Sequence, residues 1–179
     1  MRFSPLVKNI FIDGKPVIKI IRQKEFDKQV KTKKVLVDVD VIAKAFTFFT
    51  GKGHLEGAGL LRGRITGEYL LIKDIFCCEN AESTTTNVKM KPENFSKATS
   101  IKDGNYVVGW SHSHPGFEVF MSPKDKSTQL NFQAMFPDAV SLVMNPFGKD
   151  GIDFKFFRYK DDDLEKIKYD FLVSRDEQT

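Results

Sequence analysis

The chain has 179 residues, with 28 basic and 24 acidic side chains and a formal net charge of +4. That length matches one ordinary domain, and a hydrophobic content of 41% that includes 17 Phe is sufficient for a packed core. The positive excess is small and spread along the chain, so we predict no nucleic-acid partner. The first residues lack the apolar region of a signal peptide, and no apolar stretch approaches the roughly 20 residues that cross a bilayer. We therefore expect a cytoplasmic protein without a membrane partner.

The two cysteines, Cys77 and Cys78, are adjacent in sequence. Neighbouring residues do not form an ordinary structural disulfide, and this pair lacks the spacing of a zinc-binding cysteine motif. We predict two reduced thiols at the end of a strand.

Residues 1–34 are predicted to form an extension that precedes the main domain. Asp13 and Gly14 are a strong turn signal between two β-rich runs, which predicts a hairpin over 10–21. The basic segment 28–34 that follows is typical of a solvated connector.

The central domain is assigned to 35–160, and its elements follow from apolar periodicity and turn signals. The domain is predicted to begin with a strand at 35–37 and a helix that is capped by Asp38 or Asp40 and ended by Gly51 and Gly53. Strands at 56–65 and 69–76, an exposed polar loop at 79–91 and a helix at 92–101 are expected next. A buried strand at 106–112, a helix from Ser122 to about 136, and strands at 139–144 and 152–159 complete the prediction. Residues 161–179 are assigned to a C-terminal helix and tail, because 164–173 has amphipathic helical spacing. The expected fold class is α/β (α+β), with a mixed, mainly antiparallel sheet flanked by helices.

Two histidines and one aspartate have the pattern of a metal site. His112 and His114 are two residues apart at the end of the predicted strand, so both imidazoles lie on one face and can meet one ion. Asp125 lies in the first turn of the next helix, where the intervening loop can return it as a third ligand. Two imidazoles, one carboxylate and an open position suit a catalytic Zn²⁺, whereas a structural zinc usually has four protein ligands that include cysteines.

Hydrolysis at such an ion also needs a proton carrier and a group that stabilises the oxyanion. Glu56 is the candidate general acid and base, although spacing alone leaves Glu68, Glu79, Glu82 and Glu118 open. Ser122 is the candidate hydrogen-bond donor to the oxyanion. Ser122 and Asp125 also have the residue types of a helix N-terminus, and capping and catalysis are compatible.

These residues resemble the JAMM motif of the MPN+ zinc metalloproteases. The matching positions are Glu56, Gly59, Leu61, Gly63, His112, Ser113, His114, Pro115, Ser122 and Asp125. The segment 109–117 and the helix 125–136 are most similar to the proteasome-lid type of deubiquitinase. The resemblance covers about 35–159, and it implies one catalytic zinc on His112, His114 and Asp125, with Glu56 as acid and base and Ser122 as oxyanion donor.

The same resemblance implies a substrate and partners. The reaction would be hydrolysis of the isopeptide bond between ubiquitin, or a ubiquitin-like modifier, and a lysine. The polar loop corresponds to an insertion that pairs with the modifier's extended tail, and a proteasome or other MPN-domain partner is implied. The expected substrate contacts are Thr84, Thr85, Thr86, Asn87, Val88 and Phe117. A second insertion of the family is reduced here to about 145–151.

Three alternatives stay open at this point. A processing peptidase for a ubiquitin-like sulphur carrier would share the chemistry and differ in substrate. A non-catalytic MPN scaffold would be expected to lack a ligand or the glutamate, and all are present. A non-haem iron oxygenase also uses two histidines and a carboxylate, but it leaves Glu56 and Ser122 unexplained.

Overall fold

The computed structural model describes residues 6–12, 15–21, 32, 34–160 and 162–173. The predicted N-terminal hairpin is confirmed, because β1 (Leu6–Ile12) pairs antiparallel with β2 (Lys15–Ile21). Its turn residues, Asp13 and Gly14, lie outside the described residues, as does most of the basic connector.

An eight-stranded mixed sheet forms the centre of the molecule, which confirms the predicted fold class. Its strands are β3 (Lys34–Asp38), β4 (Ala58–Thr66), β5 (Tyr69–Cys77), β8 (Tyr106–Ser113), β9 (Val140–Gly148), β10 (Gly151–Lys160), β11 (Asp163–Ile167) and β12 (Tyr169–Leu172). They lie in the order β11-β10-β9-β8-β4-β5-β3-β12, and four of the seven pairings are antiparallel.

Three helices cover this sheet in the described part of the chain, α1 (Val39–Gly51), α2 (Pro92–Ser100) and α3 (Pro123–Met135). The carboxylate of Asp38 accepts the Asp40 backbone N–H and caps α1, so the first of the two predicted caps is correct. Apolar side chains of α1 pack with one face of the sheet, and those of α2 and α3 pack with the other. The sheet is thus buried on both sides.

The polar loop contains a small hairpin that the sequence did not predict. Its strands are β6 (Glu82–Ser83) and β7 (Val88–Lys89), paired antiparallel. The hairpin is fixed at its tip, where the Thr84 N–H donates to the Asn87 carbonyl at 2.8 Å. The polar loop therefore has a defined hairpin structure, although its strands are too short and too polar to show the alternation of apolar residues that predicts a strand.

The predicted C-terminal helix is wrong. Residues of that segment form β11, antiparallel to β10, and β12, parallel to β3, with Lys168 alone between them. Without these strands β3 and β10 would have unpaired backbone groups along their edges, which is costly to leave exposed. The Tyr169 ring also packs at 5.5 and 5.3 Å from the rings of Phe154 and Phe156. These tertiary partners override the helical spacing of a short apolar pattern.

Two glycines permit close backbone approach at the centre of the sheet. A Cβ at Gly109 on β8 would lie 2.0 Å from the Val140 carbonyl oxygen of β9. A Cβ at Gly63 on β4 would lie 1.9 Å from the Leu71 carbonyl oxygen of β5. Both lie beside register shifts, Gly63 where β4 pairs with β5 and Gly109 where β8 pairs with β4.

The cysteine prediction is confirmed for the described chain, since Cys77 ends β5 and both thiols are free. Burial raises the pKa of Cys77 to about 11 and that of Cys78 to about 12, so neither thiol is activated. Within the described ranges, none of the helices combines the length and the apolar character that a bilayer crossing requires.

Candidate metal centre and active site

The end of β8 and the start of α3 bring His112, His114 and Asp125 together. The Nε2 atoms of the two histidines are 3.1 Å apart, and they lie 3.4 and 3.8 Å from the Asp125 Oδ2. The three donor atoms all lie within 4.8 Å of one another. Three residues that are separated by up to 13 positions in sequence therefore converge on one point, with the donor types that a divalent transition metal prefers.

The orientation of each imidazole is fixed by a neighbour. The Nδ1 of His114 lies 2.9 Å from the Glu118 carbonyl oxygen and donates to it, which leaves the Nε2 lone pair free to accept a cation. The fully buried His112 ring stacks on Trp110, with ring centroids 4.7 Å apart and an interplanar angle of 9°. Both Nε2 atoms therefore point to the same place.

Ser122 and Asp125 form a reciprocal cap at the start of α3. The Asp125 N–H donates to the Ser122 Oγ at 3.2 Å, and the Ser122 N–H donates to the Asp125 Oδ2 at 2.8 Å. This geometry holds the carboxylate of Asp125 in one position beside the imidazoles. The capping interpretation of these residues is correct, and it is compatible with a role in the site.

The protonation of the cluster follows from burial and hydrogen bonding. Burial lowers the pKa of His112, so its ring is neutral at neutral pH and can donate a lone pair. Burial also lowers the pKa of His114, but the neighbouring Asp125 carboxylate and Glu118 carbonyl outweigh it and raise that pKa overall. For Asp125, burial raises the pKa, and the adjacent His112, His114 and Ser122 more than reverse this, so the group is ionised.

Glu56 lies just before β4 and is held from both sides. Its N–H donates to the Thr84 carbonyl at 2.9 Å, and the next N–H, that of Gly57, donates to the Ser113 Oγ at 2.8 Å. Its side chain is only 7% exposed, and burial raises the pKa of the carboxyl to about 7 against the charge of His114, which lowers it. A carboxyl group with a pKa near neutrality can both accept and return a proton.

An open cavity of about 360 Å³ joins these groups to solvent. It is lined by Glu56, Thr86, Asn87, His114, Phe117, Phe120, Ser122, Lys124 and Asp125. None of the competing glutamates lines it; Glu118 reaches the site only through its backbone carbonyl. The geometry thus singles out Glu56 among the five glutamates that spacing had left open.

The six expected substrate contacts have different positions. Thr86, Asn87 and Phe117 line the cavity, and Val88 lines a groove beside it, between the hairpin and α3. Thr84 supports Glu56 through its carbonyl, and Thr85 lines neither space.

Two further residues, Phe120 and Lys124, line the cavity. Phe120 packs edge-on to His114 with centroids 5.0 Å apart, and Lys124 donates to the Asn87 Oδ1 at 2.5 Å. No role was assigned to Lys124 from the sequence. Its position between Ser122 and Asp125, the two members of the cap, could have indicated that it lies near the site.

The fold and this cluster define a family. The chain belongs to the family described as JAB1/Mov34/MPN/PAD-1 ubiquitin protease, whose model matches residues 30–138. It is similar to COP9 signalosome complex subunit 5 of Caenorhabditis elegans, with 30% identity over 78% of this chain and 40% of that protein. It is also similar to 26S proteasome regulatory subunit RPN11 of Encephalitozoon cuniculi, with 36% identity over 51% of this chain and 33% of that protein.

A third relative is AMSH-like ubiquitin thioesterase 1 of Arabidopsis thaliana, with 32% identity over 53% of this chain and 18% of that protein. The chain thus spans less than half the length of these relatives. Among solved structures it is similar to the solution structure of a protein from Desulfitobacterium hafniense, with a TM-score of 0.64, 20% identity, and coverage of 80% of this chain and 97% of that chain. That likeness supports the fold.

Proposed function

We propose that this protein is a zinc-dependent isopeptidase that hydrolyses the bond between ubiquitin, or a ubiquitin-like modifier, and a lysine. The observation that carries the proposal is the convergence of His112, His114 and Asp125 beside a buried Glu56 in one open cavity. Membership of a ubiquitin protease family supports the substrate class. Two relatives are named as subunits of the COP9 signalosome and the 26S proteasome, which supports the proposal that this protein binds a partner in an assembly.

The residues present fit a zinc ion. His112, His114 and Asp125 would hold it, because their donor atoms are close together and face an open cavity. When bound, the ion would polarise the scissile carbonyl and lower the pKa of a water molecule. A non-haem iron oxygenase, by contrast, would leave the positions of Glu56 and Ser122 at the cavity wall unexplained.

Glu56 carries the proton in this proposal. Its carboxylate accepts a proton from the attacking water and delivers it to the lysine amine as the carbon–nitrogen bond breaks. The products are a modifier with a free carboxylate and a protein with a free lysine. The hydrogen bonds of the Glu56 and Gly57 N–H groups support this role, because they hold the backbone that carries the carboxylate at the cavity wall.

Ser122 stabilises the developing oxyanion. The residue lines the cavity, and a serine hydroxyl can donate one hydrogen bond while its oxygen accepts another, here the Asp125 N–H. The tip of the hairpin, at Thr86 and Asn87, lines the same cavity and supports contact with an extended modifier tail.

The test is cleavage of ubiquitin that is joined through an isopeptide bond to a fluorescent lysine peptide. We expect the zinc-loaded protein to cleave it and a zinc chelator to abolish cleavage. Glu56→Gln should retain zinc and lose cleavage, whereas Glu79→Gln, an exposed glutamate outside the cavity, should retain both.

Two results would contradict the proposal. A zinc-loaded wild-type protein that cleaves neither this substrate nor a ubiquitin-like sulphur-carrier fusion would favour a scaffold. Loss of zinc in Glu56→Gln would mean that Glu56 maintains the site and does not transfer protons. Cleavage of the sulphur-carrier fusion alone would retain the chemistry and change the substrate.

A further inference from the structure

The inner face of α3 carries two buried polar side chains beside its apolar ones. Asp125, Gln129 and Gln133 are spaced four residues apart and share one face of the helix, and both glutamines are fully buried. Burial of a side-chain amide is costly unless its hydrogen bonds are made. Two buried amides on this face therefore indicate that α3 needs directional hydrogen bonds in addition to apolar packing.

The hydrogen bonds of Gln129 join α3 to two strands. Its Oε1 accepts the Trp110 Nε1–H of β8 at 2.9 Å. Its Nε2 donates to the Ala139 carbonyl, just before β9, at 2.8 Å and to the Gln133 Oε1 at 2.9 Å. The amide oxygen thus accepts from β8, and the amide nitrogen donates to the Ala139 carbonyl and to Gln133. All three hydrogen bonds together fix the orientation of the amide.

The contact between Trp110 and Gln129 lies beside the contact between His112 and Asp125 and joins the same two elements, β8 and α3. Trp110 precedes His112 by two residues on the same face of β8, and the two rings stack at 4.7 Å. Gln129 follows Asp125 by one helical turn. The His112–Asp125 pair and the Trp110–Gln129 pair are therefore two parallel cross-links between the same strand and the same helix.

We propose that Trp110 and Gln129 are positioning residues of the metal centre, which fix α3 against β8 so that Asp125 stays at ligand distance from His112. The inference rests on the proposed zinc site. Apolar contacts between a helix and a sheet are non-directional and permit small slides, whereas a hydrogen bond between two buried side chains fixes distance and angle. Metal ligands tolerate displacements of only about 0.2 Å.

The test compares Gln129→Leu with Gln133→Leu. Both variants remove a buried amide from the same helix face. Gln133→Leu removes one hydrogen bond of the Gln129 Nε2 but leaves its bonds to Trp110 and the Ala139 carbonyl in place. The Gln133 Nε2 itself donates to the Pro137 and Tyr159 carbonyls, away from the site. The probe is Co²⁺ alone, measured by the affinity in competition with a chelator and by the visible absorption of the bound ion. Trp110→Phe is the second variant, because it keeps an aromatic ring beside His112 and removes the N–H donor together with part of the indole ring.

We expect Gln129→Leu and Trp110→Phe to weaken Co²⁺ binding by about 10-fold to 100-fold and to alter its absorption spectrum. Gln133→Leu should be destabilised to a similar degree in urea while it keeps the wild-type spectrum and affinity. If Gln129→Leu does not fold, Trp110→Phe carries the comparison.

Unchanged Co²⁺ affinity and spectrum in the folded variants at Gln129 and Trp110 would overturn the inference. An equal effect in Gln133→Leu would also overturn it, since that result would indicate a general loss of core stability. If the wild-type protein binds neither Co²⁺ nor Zn²⁺, the proposed function fails, and this inference fails with it.

Discussion

Ser122 has one observed task and one proposed task at the scale of a single residue, and they can be separated. Its Oγ caps α3 through the Asp125 N–H, and the residue lines the cavity that Glu56 also lines. The observed cap concerns stability, and the proposed donation to the oxyanion concerns rate. A substitution that removes the hydroxyl at little cost in stability distinguishes them.

We predict that Ser122→Ala lowers the free energy of unfolding by about 1 kcal/mol, whereas Ser122→Gly lowers it by only a few tenths, because glycine is a tolerated N-cap. Both variants should lose about 10²-fold to 10³-fold in kcat, because both lack the donor to the oxyanion. Urea denaturation and conjugate cleavage measure the two effects. A Ser122→Gly variant with wild-type kcat would show that the hydroxyl does not act in the reaction.

At the scale of elements, Arg62 connects β4 to the loop that follows α2. Its guanidinium is fully buried and donates to the Asp103 carboxylate at 2.9 and 2.6 Å and to the Ile101 and Asn105 carbonyls at 3.3 Å each. The hydrogen bond from Arg62 holds the pKa of Asp103 well below its usual range. The end of α2 is thereby tied to the strand that follows Glu56.

This contact predicts a pH dependence of stability. Since the pKa of Asp103 is lower in the folded than in the unfolded chain, its contribution is present above about pH 4 and is lost as the pH falls through the depressed pKa. Asp103→Asn should therefore have a lower urea midpoint than the wild type near neutrality, and the difference should shrink on acidification. The exposed Asp150→Asn is the control and should follow the wild type. A difference that is constant with pH would contradict the assignment.

Elements that carry their own start or turn signals could be predicted from the sequence. Ser122 and Pro123 marked the start of α3, and the apolar run before His112 marked β8, so the candidate ligand set could be proposed from local spacing. The buried glutamines of α3 could not be found in this way, because only their partners on other elements explain their burial. The C-terminal strands were missed for the same reason, since their apolar spacing fits a helix and their pairing is non-local.

At the scale of the whole molecule, the last strands bring the two ends of the sheet together. β11 lies beside β10 at one end, β12 lies beside β3 at the other, and one residue connects them, so the sheet curls back on itself. Rings of Tyr169 and Phe171 on β12 face those of Phe154 and Phe156 on β10. This aromatic contact fills the space between the two ends.

We predict that Tyr169→Ala lowers the free energy of unfolding by about 2 kcal/mol, because it removes a half-buried ring that contacts three others. Phe171→Ala should cost less, since the Phe171 side chain is 49% exposed. Chemical denaturation of both variants makes the comparison. Equal losses, or a larger loss at Phe171, would contradict the role given to Tyr169.

The central claim is that one metal ion is bound by two imidazoles and one carboxylate. Elemental analysis of the purified protein, beside His114→Ala and Asp125→Ala, tests it most directly. We predict about one zinc per chain in the wild type and a large loss in each variant, with folding retained by circular dichroism. A wild-type protein without bound transition metal after zinc reconstitution, or variants that keep a full equivalent, would contradict the account.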